Sequence, residues 1–167
     1  MPRSSDFSRL FDRTTWIVGA ALLGLAVAAP SSAAENPFPS LAGTWSGSGT
    51  AKFEGGVSES LRCKGYYTNG SGGNNLGLSI RCANASAKVE LRANLVNNGG
   101  TVSGDWEERT YNQSGTVSGK ASSGKINLAI TGGINGSMSV SVGGGSHSVS
   151  VVTGGPVLKG INISMSR

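Results

Sequence analysis

The chain has 167 residues, of which 37% are hydrophobic, 14% are charged and 27 are glycine, with a formal net charge of +5. So little charge beside so much to bury excludes an intrinsically disordered chain. The abundance of glycine, serine, asparagine and β-branched residues excludes a helical one, which leaves a small all-β domain.

The N-terminus reads as a secretory signal peptide. Arg3, Arg9 and Arg13 form a basic start, Trp16 to Ala29 carries no charge, and Pro30, Ser31, Ser32, Ala33 and Ala34 close the segment with small residues. That order of basic, apolar and small residues predicts cleavage after Ala34, with Ser32 and Ala34 as the residues the peptidase reads. The apolar run is too short to span a bilayer. Residues 1–34 are thus expected to be removed, 35–40 to form a short linker and 41–167 to form one domain.

The exported part keeps eleven basic and seven acidic side chains, a net charge of +4. The cations are scattered from Lys52 to Arg167 with no basic run, so no nucleic-acid footprint and no transmembrane segment are expected. An excess of this size can still attract anionic components of a cell envelope.

From Leu41 onward the chain alternates apolar and polar residues between turn signals. Leu41 to Phe53 reads as a first strand with Trp45, Ala51 and Phe53 facing inward, and Gly55-Gly56 turns it back. Segment 57–67 then puts Val57, Leu61, Cys63 and Tyr67 on one face, and segment 76–83 does the same with Leu76, Leu78, Ile80 and Cys82. Folding the two about Gly72-Gly73 sets Cys63 opposite Cys82 and Tyr67 opposite Leu78. A disulfide between adjacent strands is the expected outcome in an oxidising compartment.

The same register test continues to the C-terminus. Val89, Leu91, Ala93 and Leu95 face Val102, Gly104 and Trp106 across a turn at Asn97 to Gly100. A turn at Asn112 to Ser114 brings in Val117, Gly119 and Ala121, and Ser123-Gly124 leads to Ile126, Leu128 and Ile130. Met138, Val140 and Val142 follow, then Val149 and Val151, and finally Val157, Ile161, Ile163 and Met165. The reading is about eight to ten short strands with no helix anywhere.

A meander with one apolar face must cover that face, by closing into a barrel or by folding over as a β-sandwich. Inward glycines, Gly43, Gly47, Gly49, Gly65, Gly104 and Gly119, either permit tight strand coiling or leave room for a ligand. Aromatic girdles, the mark of an outer-membrane barrel, are not evident.

The chemistry is sparse. Residues 35–167 contain one histidine, His147, and one aspartate, Asp105, and no Gly-x-Ser-x-Gly elbow, so neither a nucleophilic triad nor a metal site is expected. His147 reads as a loop residue beside Gly145. Alternation places Glu59 and Glu108 on the apolar face, either as strand ends meeting solvent or as an acid and base pair of a small glycan hydrolase. Trp45, Tyr67 and Trp106, with Glu108 as the polar group, are the residues expected to line a ligand pocket. No catalytic residue or cofactor is assigned.

At Leu41-Ala42-Gly43-Thr44-Trp45 the chain resembles the calycins, the lipocalin and avidin class, in which Gly-x-Trp stands on the first strand. The resemblance implies a ligand-binding barrel; the avidin pattern after the Trp is not matched, and biotin binding is not implied. A wider pattern, Leu41 to Trp45, Glu59 to Cys63, Ile80 to Ala83 and Gly104 to Glu108, resembles uncharacterised exported proteins of alphaproteobacteria and implies a periplasmic or secreted location. The functional expectation is a non-catalytic exported β-barrel that binds a small apolar or amphipathic ligand or an anionic envelope component. A structural or protein-interaction module is the alternative.

Overall fold

The computed structural model describes residues 35–85 and 87–167. The expected cleavage point at Ala34 lies outside the described residues.

Ten strands follow one another as an antiparallel meander: β1 (Gly43–Phe53), β2 (Ser58–Asn69), β3 (Asn75–Ala83), β4 (Lys88–Asn98), β5 (Thr101–Glu108), β6 (Gln113–Ser122), β7 (Lys125–Gly132), β8 (Gly136–Gly143), β9 (Ser146–Thr153) and β10 (Leu158–Ser166). Strand β10 returns to pair with β1, so the sheet closes into a barrel. Closure removes both free edges and excludes the β-sandwich. Cys63 lies opposite Cys82 and Tyr67 opposite Leu78, as the hairpin register requires, and the two cysteines are bonded.

The inward glycines serve close packing of the strands. A Cβ on Gly47, Gly104 or Gly119 would fall against the main-chain carbonyls of Ser164, Asn94 and Asn127 respectively. Glycine is therefore there because neighbouring strands coil too tightly to admit a side chain. At one end of the barrel three of the four hairpins are joined by two-residue turns, Gly99-Gly100, Ser123-Gly124 and Gly144-Gly145, all with positive φ, and β2–β3 by the longer connection 70–74. Such primed turns match the twist of the strands they connect.

That same end is plugged. Residues 35–41, expected to begin as a linker, fold over the barrel mouth, and Phe38 to Leu41 form a single helical turn, α1. This corrects the reading of a helix-free chain. Phe38 is completely buried and Leu41 nearly so. Polar ties hold the segment in place: the Glu35 carbonyl accepts from the Ser123 amide, Asn36 donates to the Gly73 carbonyl and accepts from Asn97, and Asn69 donates to the Phe38 carbonyl.

The opposite end has connections of three or four residues and looser packing. Phe53, Leu91, Ile134, Val151, Leu158 and Ile161 are only partly buried there. Val57 and Val157, expected on the inward face, are 55% and 64% exposed. Val57 has the inward parity but lies one residue before β2 begins, where the chain is still turning; at Val157 the parity counted back from Ile161 is lost, because a register shift sets Leu158 opposite Phe53. The connection between β5 and β6 is also earlier than expected, at 109–112, with Glu108 opposite Gln113.

Candidate functional site

The four residues expected to line a pocket share the interior but not one site. Cross-strand pairing runs Trp45, Gly65, Ile80, Leu91, Glu108 in one row and Tyr67, Leu78, Ala93, Trp106 in the next. Trp45 and Tyr67 thus stand on β1 and β2, whereas Trp106 and Glu108 stand on β5.

Trp45 and Tyr67 belong to the plugged end. Their ring centroids are 6.5 Å apart, the Trp45 indole donates to the Leu41 carbonyl at 2.7 Å, and the Arg167 guanidinium covers the ring at 4.5 Å. Both side chains pack the core and the plug. Trp106 donates its indole N–H to the Thr131 carbonyl at 3.2 Å. Glu108 accepts backbone N–H groups of Glu90, Thr110 and Tyr111, at 3.1, 2.9 and 2.6 Å. Its carboxylate fixes the β5–β6 connection, which is a structural use of the charge. Glu59 accepts from the Asn84 side-chain amide, so each carboxylate anchors a neighbouring loop.

His147 is not a loop residue. It is the second residue of β9, 3% exposed, edge-on to Trp45 at 4.5 Å and 3.0 Å from the Tyr67 hydroxyl through Nε2. Its Nδ1 has no partner among the described residues. The least costly arrangement has Nε2–H donating to the Tyr67 oxygen and Tyr67 O–H directed at the Met165 sulfur, 3.8 Å away. Nδ1 then keeps only a lone pair to bury. Burial holds the imidazole below its ordinary pKa and pushes the Tyr67 phenol up.

A pH dependence follows. The folded state keeps His147 neutral while the unfolded chain protonates it near its ordinary value of about 6.5, so the unfolded state binds more protons below that pH. Stability from this residue is complete above that value and declines as pH falls through it. Melting temperatures measured from neutral pH to about pH 5 are expected to fall further for the wild type than for His147→Gln; parallel curves would show that the imidazole does not titrate on unfolding.

The outer wall carries the charge. On the outward faces of β2, β3 and β4, Arg62, Lys64, Arg81, Lys88 and Arg92 stand against a single carboxylate, Glu90. That is an excess of four; residues 113–167 carry four more cations, Lys120, Lys125, Lys159 and Arg167, and no carboxylate, and acidic side chains elsewhere offset those. Pairing explains the concentration: Lys64 lies opposite Arg81, Arg81 opposite Glu90, and Ala83 links Arg62 to Lys88.

Glu90 is held by Arg92 at 2.7 Å, Arg81 at 3.5 Å and Arg109 at 3.9 Å. The Arg92 hydrogen bond, with the charges of Arg81, Arg92 and Arg109 adding to it, keeps this carboxyl below its usual range. Arg62, Lys64 and Lys88 form no salt bridge among the described residues. These cations border a groove of about 620 Å³ whose floor includes the bridged Cys63 and Cys82 and whose flank includes Tyr66, 41% exposed. An open groove lined by uncompensated cations concentrates anions by focusing the field. No protein-family model and no curated protein matches the chain.

Proposed function

We propose that the protein is a non-catalytic binding barrel of an exported compartment, and that its basic wall takes an anionic component of the cell envelope. The observation that carries this reading is the groove on the β2–β4 wall, bordered by Arg62, Lys64 and Lys88, which form no salt bridge among the described residues. The disulfide fits an oxidising, exported location.

The interior is a weaker candidate for a ligand. Phe38, Trp45, Leu76 and Val102 fill the plugged half, and the inward glycines are occupied by strand contacts. Binding on the wall needs no cavity.

Retention on phosphocellulose tests the reading. The wild type should be held and released by salt, since exposed charge interactions fade within a screening length of about 8 Å at physiological ionic strength. Lys64→Glu/Arg81→Glu should elute at markedly lower salt, while Lys120→Glu/Lys125→Glu, on the β6 and β7 side, should elute nearer the wild type. Equal shifts for the two double variants would mean that net charge alone governs retention, and the wall would lose its assigned role.

A further inference from the structure

The end of the barrel opposite the plug has a composition that the wall does not account for. Six large hydrophobic side chains are exposed among the described residues, and four of them, Val57, Tyr111, Val152 and Val157, lie on or beside connections at this end. Alternate connections of an up-and-down meander share one end, so the β1–β2, β5–β6 and β9–β10 connections that carry Val57, Tyr111 and Val157 project together. The first and third are also tied directly, because the Glu54 amide donates to the Val157 carbonyl. Scattered surface valines are ordinary, but a set gathered at one pole is a contact surface.

The charge around this pole indicates what it contacts. The outward charges near it are Lys52, Arg62, Lys88, Arg109 and Lys159 against Glu54, Glu90 and Glu107, of which Glu54 pairs with Lys159 and Glu90 and Glu107 with Arg109, at 3.9 Å each; Glu59 and Glu108, also at this end, have the inward parity. Lys88 opens β4 at this end and also lines the basic groove, so the groove reaches toward the apolar pole. Apolar tips beside an excess of outward cations match a lipid interface with anionic headgroups: the tips enter the boundary between headgroups and acyl chains while the cations stay at headgroup level.

We infer that the protein docks end-on to an anionic lipid bilayer, inserting Val57, Tyr111 and Val157 and placing the mouth-proximal part of the basic wall against phosphate headgroups. The inference rests on the anion-binding reading of that wall and adds the source of the anion. The plug faces away from the membrane in this orientation.

Sedimentation with vesicles tests it. The protein should co-sediment with vesicles of equal parts phosphatidylcholine and phosphatidylglycerol, less with phosphatidylcholine alone, and be released by salt. Val57→Ser/Tyr111→Ser/Val157→Ser should lose at least about tenfold in vesicle affinity, since three apolar tips no longer enter the interface, and should keep its retention on phosphocellulose. Lys64→Glu/Arg81→Glu should weaken both.

Tyr111→Trp supplies a readout that does not depend on lost binding. The emission this variant adds to that of the wild type should shift to the blue when the phosphatidylglycerol vesicles are added. A triple variant that sediments like the wild type, or added indole emission that stays fixed while the Tyr111→Trp protein sediments, overturns end-on docking and leaves the wall's anion binding standing. Loss of phosphocellulose retention by the wild type instead removes the wall reading, and the docking with it.

Discussion

Phe38→Ala is expected to destabilise the protein by about 4 kcal/mol, within the range for truncating a fully buried phenylalanine. Phe38 is inaccessible to solvent although it lies outside every strand. Removing the ring deletes its transfer free energy and leaves a void beneath a segment that hydrogen bonds hold in place. Those bonds limit collapse, which is the circumstance in which the cavity term is largest. Phe38→Leu keeps most of the volume and should cost less than about 1.5 kcal/mol. Urea unfolding of the two variants beside the wild type measures both. If Phe38→Ala lies within about 1 kcal/mol of the wild type, residues 35–41 are a tether and not part of the core.

The segment also shows why some of the structure is hidden in the sequence. A one-turn helix with Pro37 before it and Pro39 within it has no room for a helical period, and its position is set by the burial of Phe38 under the barrel end. Strand register is legible because it needs only a period of two and a turn that fixes the offset. Gly72-Gly73 supplies that offset for Cys63 and Cys82.

Expectation and structure part where the offset is loose. A turn running through Ser146 makes His147 a loop residue, yet counting back by two from Val149 puts it inside the barrel. Val57 has the right parity but precedes the strand that would have turned it inward, and Val157 loses that parity at the register shift that sets Leu158 opposite Phe53. The basic wall is the largest omission in the candidate site. Its cations are dispersed along the chain, but the register that opposes Cys63 to Cys82 also opposes Lys64 to Arg81. Once the hairpins are aligned, the outward residues carry the signal as clearly as the inward ones.

Reducing the Cys63–Cys82 bridge, or replacing both residues by serine, is expected to lower stability by about 3 kcal/mol and the melting temperature by about 10 °C. The cysteines are 19 residues apart in sequence, so the bridge closes a loop of moderate length in the unfolded chain. Restricting that loop is the main source of the gain in the chain-entropy account. In the folded state the bridge joins β2 to β3 beneath the groove, at the strands that carry Lys64 and Arg81. Reduction should therefore also loosen the spacing of the wall cations, and phosphocellulose retention should weaken before the protein unfolds globally. Melting curves with and without a thiol reductant, followed by retention at a temperature where both forms remain folded, separate the two effects. Coincident melting curves would mean that the β2–β3 register holds without the bridge. A stability difference of the expected size would instead make an oxidising compartment a condition for a firmly held wall.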